Sequence, residues 1–191
     1  GKLPRARLVL AGALGHAASR HALGNSDREA VEESQVDSEL SGAGDASLQF
    51  WGRRLARFGP QVMLRTALGV ARQLAIRAQP SEALRGGVEL CDRFVDPNRE
   101  SPKGPELEVS AKAVARAALD LPEEGPPRQA CMTLLPLLRA LIDIQGGGVF
   151  DRMVLNAHFL RVLEYASASE VADATLQEAV REELLSWALT P

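Results

Sequence analysis

Apolar residues along this chain recur every three to four positions, in stretches that proline and glycine residues separate. The first clear stretch contains Leu48, Trp51, Leu55 and Phe58, and it stops at a Gly-Pro pair. This recurrence is typical of amphipathic helices, whereas the alternation expected of strands does not extend over five positions anywhere. The pattern therefore predicts an all-α protein.

The same spacing, together with proline, glycine and capping residues, places the helices that follow. They are predicted at about 60–79, 81–95, 105–121, 128–145, 149–166 and 167–189. Pro136 lies inside one of them and predicts a kink, because proline removes a helical hydrogen bond. Ser167 and Glu170 have the spacing of a capping box, which predicts the start of the last helix.

The predicted helix starts also show a period. One series begins at Pro60, Pro105 and Val149, and the partner helices begin near Ser81, Pro127 and Ser169, so both series advance by nearly equal steps. Helix pairs of this length occur in HEAT and armadillo repeats, although the pairs share no residue signature. We expect a helical bundle of about seven helices, with an α-solenoid (HEAT-like) stack of three pairs as the alternative.

Composition narrows the class of protein. The chain has 191 residues, of which 46% are hydrophobic and 25% charged, with a net charge of −3. These values exclude a disordered polar chain, and two cysteines exclude a disulfide scaffold. The longest apolar run is far too short for a bilayer, so we expect no membrane span. The length fits a single domain. Its core is expected to be aliphatic, because aromatic residues make up only 4%.

The small net charge conceals four blocks of charge whose signs alternate along the chain. Residues 1–24 carry four bases and no acid, 25–45 carry seven acids and one arginine, 46–81 carry six arginines and no acid, and the remainder is acidic. We divide the chain into an amphipathic N-terminal helix (1–24), an acidic linker or short helix (25–46) and a helical domain (47–191). Residues 1–24 outline a targeting segment, but no clean cleavage site follows.

The arginine block is the strongest candidate for function. We expect a partner-binding surface made by Trp51, Arg53, Arg54, Arg57, Phe58, Arg65 and Arg72. Arginine and tryptophan contribute disproportionately to binding energy at interfaces. The hypothesis is a non-enzymatic helical interaction or adaptor module that binds a protein partner. Two other interpretations stay open: the acidic segment 25–45 folds over these arginines, or the arginines contact nucleic acid, which the acidic overall charge disfavours.

A small helical enzyme is the alternative from another class. Asp143, Asp151 and His158 could form a polar site, since Asp151 and His158 lie two turns apart on one predicted helix. Cys91 and Cys131 are surrounded by aliphatic residues and are expected to be buried and unreactive. No motif with metal-ligand spacing occurs, so neither a metal nor a cofactor is expected.

The stretch from Val88 to Ala118, a helix, an Asp-Pro-Asn loop and an alanine-rich helix, resembles helix pairs in small bacterial helical proteins of immunity-type or unassigned function. The resemblance is limited to that stretch and includes no diagnostic motif. The chain has 19 arginines and three lysines, which is typical of a GC-rich genome. A bacterial, cytoplasmic protein, with homo-oligomer formation open, is therefore the expectation.

Overall fold

The computed structural model describes residues 3–34, 47–146 and 152–191, and within these ranges the chain is helical without any strand. Ten α-helices occur there: α1 (Arg5–Ala13), α2 (Ala17–Ala22), α3 (Asn25–Ser34), α4 (Leu48–Leu55), α5 (Pro60–Arg77), α6 (Glu82–Val95), α7 (Gly104–Asp120), α8 (Pro126–Gln145), α9 (Arg152–Ser167) and α10 (Asp173–Leu189). A short 3-10 helix (Ala56–Phe58) joins α4 to α5. The prediction of an all-α protein is confirmed.

Helix α5 occupies the centre of the helical packing. Its neighbours are α4, α6, α8, α9 and α10. It begins at Pro60, where the missing N–H costs nothing, after Gly59 at a φ of 104°. Buried side chains lie on most of its circumference, as is expected of a helix enclosed by others.

The three helix pairs that the sequence spacing predicts also make contacts beyond the next pair along the chain. The third pair, α9 and α10, packs directly against α5 of the first pair. In an open stack of repeats each pair would contact only the adjacent pairs. The contacts of the third pair thus include the first pair.

Helix α8 is the second extensively buried helix of the fold. It packs against α5, α6, α7 and α9, and its central residues, including Pro136, are buried. The helix continues from Pro126 to Gln145 through that proline. Among the described helices, none is both long enough and apolar enough to cross a membrane.

The N-terminal region folds as three short helices, which is why ten helices are described where about seven were expected. Leu10 and Leu14, at the end of α1, are buried in the core, and α1 contacts α10. His16 caps α2 by accepting a hydrogen bond from the Ser19 backbone N–H at 3.2 Å. The single N-terminal helix that the sequence predicts is thus two helices, of which α1 is docked on the bundle.

The predicted capping box at Ser167 is wrong. Ser167 ends α9, and α10 begins at Asp173 without a side-chain cap. The Asp173 carboxylate instead accepts a hydrogen bond from the Leu48 backbone N–H at 2.8 Å and one from the Ser167 hydroxyl at 3.3 Å. It therefore satisfies an open donor at the start of α4, a contact that residue spacing within one helix could not reveal.

Candidate binding cleft

The predicted partner-binding residues do not form one surface. On α4, Trp51 is fully buried in the core, so it takes no part in an exposed patch. Arg53 and Arg57 are exposed. The Arg54 guanidinium lies 4.5 Å from the ring centre of Phe50, and the Phe50 residue is 47% exposed. Phe58, which belongs to the 3-10 helix, is half-buried against the core.

Arg65 and Arg72 project from α5 into a separate cleft. This cleft lies among α1, α5, α6 and α10 and has a volume of about 590 Å³. Trp187 of α10 and Arg7 of α1 also line it, and we call it the Trp187 cleft. Its size is within the range of ligand-binding pockets in proteins, about 300–1,000 Å³.

At one end of the cleft, Arg72 forms two ion pairs. Its guanidinium donates to Glu183 of α10 at 2.7 Å and to Asp92 of α6. The side chains of Arg72, Asp92 and Glu183 are 30%, 31% and 32% exposed. Burial alone would lower the pKa of Arg72, but the charges of Glu183 and Asp92 outweigh it and raise that pKa. The contact therefore ties three helices together.

At the other end, two guanidiniums share one indole. Arg65 lies 4.4 Å and Arg7 lies 4.8 Å from the ring centre of Trp187. Both distances are within the range of cation–π attraction. Neither arginine forms an ion pair with any residue that the structure describes. Within the described residues, this end of the cleft is thus positively charged without a paired anion.

The hydrogen bonds of these two arginines go to neutral acceptors. Arg65 Nη2 donates to the Val95 carbonyl at 2.7 Å, and Arg7 Nη1 donates to the Thr190 carbonyl at 2.8 Å. Arg65 Nε is buried without an acceptor among the described residues. Burial, followed by the charge of Arg7, lowers the pKa of Arg65, whereas the charge of Asp96 offsets part of this effect. A carbonyl and an indole compensate its charge less than a carboxylate would.

Helix α10 reaches the cleft because Gly69 of α5 has no side chain. A Cβ at this position would lie 2.9 Å from Glu183 Oε2 and 3.1 Å from Val180 Cγ2. Both distances are shorter than ordinary van der Waals contact. Gly69 therefore permits the helix approach that brings Glu183 to Arg72.

The described part of the acidic segment, 25–34, contacts α1. Within its described part, Asp27 of α3 accepts a hydrogen bond from Arg5 Nε at 2.8 Å, and α3 packs on α1. The rest of the segment, 35–46, lies outside the described residues. The acidic partners of Arg72 come from α6 and α10 instead.

The six arginines of the block do not form one exposed stripe, which argues against the nucleic-acid interpretation. Arg65 and Arg72 line the Trp187 cleft, whereas Arg77 lines another cavity of about 360 Å³ beside Glu170. Arg53 and Arg57 are on the 48–58 segment. A polyanion contacts a continuous row of charges most effectively.

The polar residues of the alternative enzyme site come together only in part. His158 Nε2 lies 2.9 Å from Asp143 Oδ2, so this pair is present between α8 and α9. Asp151 lies outside the described residues. The cavity that His158 lines has a volume of about 10 Å³ and otherwise apolar walls, and Asp143 does not line it. The pair has the geometry of a helix-to-helix contact.

Both cysteines are buried free thiols, as expected from their aliphatic neighbours. Burial raises the pKa of both the Cys91 and the Cys131 thiols, which reduces the fraction of reactive thiolate. Among the described residues, no group of three histidine, cysteine, aspartate or glutamate side chains is placed to hold a metal ion.

Sequence reasoning missed four residues of the cleft: Arg7, Asp92, Glu183 and Trp187. One signal was available, since Trp187 is one of only two tryptophans in a chain with few aromatic residues. The other three belong to distant helices, and no local spacing connects them to Arg65 or Arg72.

Comparisons with known proteins add no relative to this description. No protein-family model matches the sequence, and neither the curated proteins nor the solved structures give a match. The functional inference therefore depends on the geometry of the cleft.

Proposed function

We propose that this chain is a non-enzymatic helical interaction module that binds a segment of a protein partner in the Trp187 cleft. The observation that carries the proposal is the pair of arginines over Trp187, which have no acidic partner among the described residues. The proposal keeps the predicted kind of function but moves its centre from α4 to the cleft.

The chemistry of the cleft supports a protein ligand. Tryptophan and arginine are the residue types most enriched among interface positions that dominate binding energy. Here two guanidiniums lie over one indole and bring their N–H donors to the cleft. The paired Arg72 holds the wall formed by α6 and α10 in place. A preformed wall reduces the ordering cost of binding.

The α4 surface is the competing site on the same molecule. Arg54 stacked on the exposed Phe50 also presents an arginine beside an aromatic ring. This patch, which includes the exposed Arg53, is separate from the cleft. It supplies a control residue of the same type for any variant made in the cleft.

Peptide display tests the proposal directly. A random peptide library is selected on the immobilised full chain, and the enriched peptides are then measured by calorimetry on the full chain and two matched variants. Arg65→Glu should weaken their binding by at least about tenfold, a loss typical of a dominant interface residue. Arg53→Glu makes the same charge change outside the cleft and should leave affinity within about twofold.

Two results would contradict the proposal. If Arg53→Glu abolishes binding and Arg65→Glu does not, the α4 surface is the binding site. If the selection enriches no peptide family, the chain is not a peptide-binding module of this kind. Circular dichroism and urea unfolding of both variants establish that a loss of binding is not a loss of folding.

The setting of this function is inferred from the sequence alone. The cytoplasmic and bacterial assignment follows from arginine usage and cysteine chemistry and stays a prediction. A second copy of the chain is the other candidate occupant of the cleft. Analytical ultracentrifugation of the full chain over a concentration series tests that case.

A further inference from the structure

The Trp187 cleft has one end where two arginines form no ion pair with a described residue, although the charge of Asp96 acts on Arg65, and a group of acidic side chains lines the same cleft. Arg7 and Arg65 form this positive region, and their contacts within the described residues are with carbonyls and the indole. Asp96 belongs to the acidic group, the negative region, and its carboxylate accepts a hydrogen bond from the Asn98 backbone N–H at 2.9 Å. The arrangement restricts which ligand group can enter.

The positive region favours an anion. A guanidinium has five N–H donors, and each of these two uses one of them on a main-chain carbonyl. Arg65 Nε is enclosed without an acceptor in the described part of the chain. A charged acceptor beside the two arginines would reduce their mutual repulsion. Planar anions match the fork of a guanidinium with two parallel hydrogen bonds.

The negative region limits the charge of that anion. Asp92, Asp96 and Glu183 all line the same cleft, and Arg72 neutralises the charge of only part of this group. Arg99, another cleft residue, is paired with Glu89 outside it, and it also interacts electrostatically with Asp96 and Asp92. A phosphate group with nearly two negative charges would be repelled by these carboxylates more strongly than a group with one. The balance of charges therefore favours a monoanion.

We infer that the Arg65 end of the cleft recognises a single carboxylate, carried by an aspartate or glutamate side chain of the partner segment. The inference rests on the proposed function and specifies the chemistry of its site. A phosphorylated segment fits the same arginines but not the three acidic side chains.

Nuclear magnetic resonance of the full ¹⁵N-labelled chain tests this inference at the atoms concerned. The probes are three blocked tripeptides that differ only at the central residue: Ac-Ala-Glu-Ala-NH₂, Ac-Ala-Gln-Ala-NH₂ and Ac-Ala-pSer-Ala-NH₂. The readouts are the Arg65 Nε–H and Trp187 Nε1–H signals, assigned from Arg65→Met and Trp187→Phe. The Arg53 Nε–H signal reports nonspecific attraction to arginine.

The glutamate probe should shift both cleft signals saturably, with a dissociation constant in the millimolar range typical of so small a ligand. The glutamine probe should bind at least about tenfold more weakly, because it lacks the charge. The phosphoserine probe should bind less tightly than the glutamate probe. Arg65→Lys keeps the charge but not the fork, and should also lose most of the affinity for glutamate.

Several outcomes would overturn the inference. Tighter binding of phosphoserine identifies a phosphate site, and equal binding of glutamate and glutamine shows that the carboxylate is not recognised. A glutamate probe that shifts the Arg53 signal as much as the cleft signals shows only nonspecific attraction. No shift with any probe also contradicts a carboxylate site.

The two proposals can fail separately. If peptide display enriches sequences that depend on Arg65 but contain no acidic residue, the module binds a peptide and the carboxylate inference is wrong. If display enriches nothing while the glutamate probe saturates the cleft signals, the carboxylate site exists and the proposed function fails. Both experiments use the full chain.

Discussion

Arg65 and Arg72 lie two turns apart on α5 and face the same cleft. Arg72 forms ion pairs there, whereas Arg65 forms none with the described residues. Arg72 has carboxylates on two neighbouring helices, and these raise its pKa. Arg65 has a carbonyl, an indole and a second arginine, and its pKa is lowered by burial and then by the charge of Arg7. The difference separates two uses of the same residue type. One arginine fastens helices together, and the other is left with unused capacity for a ligand.

A similar pair exists on α1. Arg5 is paired with Asp27 of α3, whereas Arg7, which follows closely on the same helix, lies over Trp187 without an ion pair to any described residue. The paired arginine fixes one short helix to another. The unpaired arginine extends the positive end of the cleft. In both helices the comparison predicts that loss of the paired residue affects structure and loss of the unpaired residue affects binding.

The largest expected effect comes from breaking the paired end. Arg72→Ala leaves Asp92 and Glu183 close together without a cation, and should lower the free energy of unfolding by about 2 kcal/mol, between the effects of exposed and of buried ion pairs. The intermediate value is expected because the side chains are partly exposed. Urea unfolding measures it. Arg53→Ala, at an exposed site, should change stability by less than about 0.5 kcal/mol, and an equal loss in both variants would refute the contrast.

A smaller effect is expected from the close approach of α10. Gly69→Ala places a methyl group against Glu183 and Val180, so the Arg72–Glu183 contact must shift. We expect a net loss of about 1 kcal/mol, because the displaced contacts outweigh the better helix propensity of alanine.

A double-mutant cycle with Arg72→Ala identifies the cause. If Gly69→Ala acts through the ion pair, it should cost less in the Arg72→Ala background than in the original chain. Additive losses would mean that the methyl group acts through Val180 alone.

Removal of the unpaired arginine should affect stability less than removal of the paired one. Arg65→Met keeps an apolar stem against Trp187 and removes a charge that has no ion pair among the described residues. It also removes one hydrogen bond to the Val95 carbonyl. The expected change in unfolding free energy is below about 1 kcal/mol in either direction. A loss as large as that of Arg72→Ala in the same urea series would show that Arg65 is structural, and would remove the basis of the comparison.

The smallest effect concerns the paired arginine of α1. The hydrogen bond from Arg5, and then its charge, holds the pKa of Asp27 below its ordinary range. A carboxyl group whose pKa is lowered on folding stabilises the protein above its ordinary pKa, and this contribution is lost as the pH falls through the folded value. Arg5→Ala should return the Asp27 pKa towards the ordinary range.

A carbon-detected pH titration of the Asp27 carboxyl measures that shift. Arg7→Ala is the matched control, because it removes a charge from the same helix without removing the hydrogen bond. An Asp27 midpoint that moves equally in both variants would indicate a general charge effect instead of a specific pair.

The sequence predicted those parts of the molecule that depend on neighbours along the chain. Apolar spacing with Gly59 and Pro60 indicated the start of α5, and the helix start predicted near Ser81 agrees with α6, which the Ser81 side chain caps. The capping box at Ser167 failed because α9 continues through Ser167 and α10 begins only at Asp173, whose carboxylate accepts a hydrogen bond from the start of α4. Local spacing therefore succeeds at a helix end only when the cap is local as well.

For the candidate site, the sequence determined that arginine and tryptophan would carry the chemistry, but not which of them meet. Trp51, chosen for its place beside the arginine block, is buried because its helical position faces the core, whereas Trp187 reaches Arg65 from the far end of the chain. Helix packing brings Arg7, near the start of the sequence, to Trp187, near its end. The amino-acid sequence by itself determined an aliphatic all-helical fold, since helical periodicity is local. Only the tertiary structure decided which arginines are neutralised, because charge compensation depends on distances between helices.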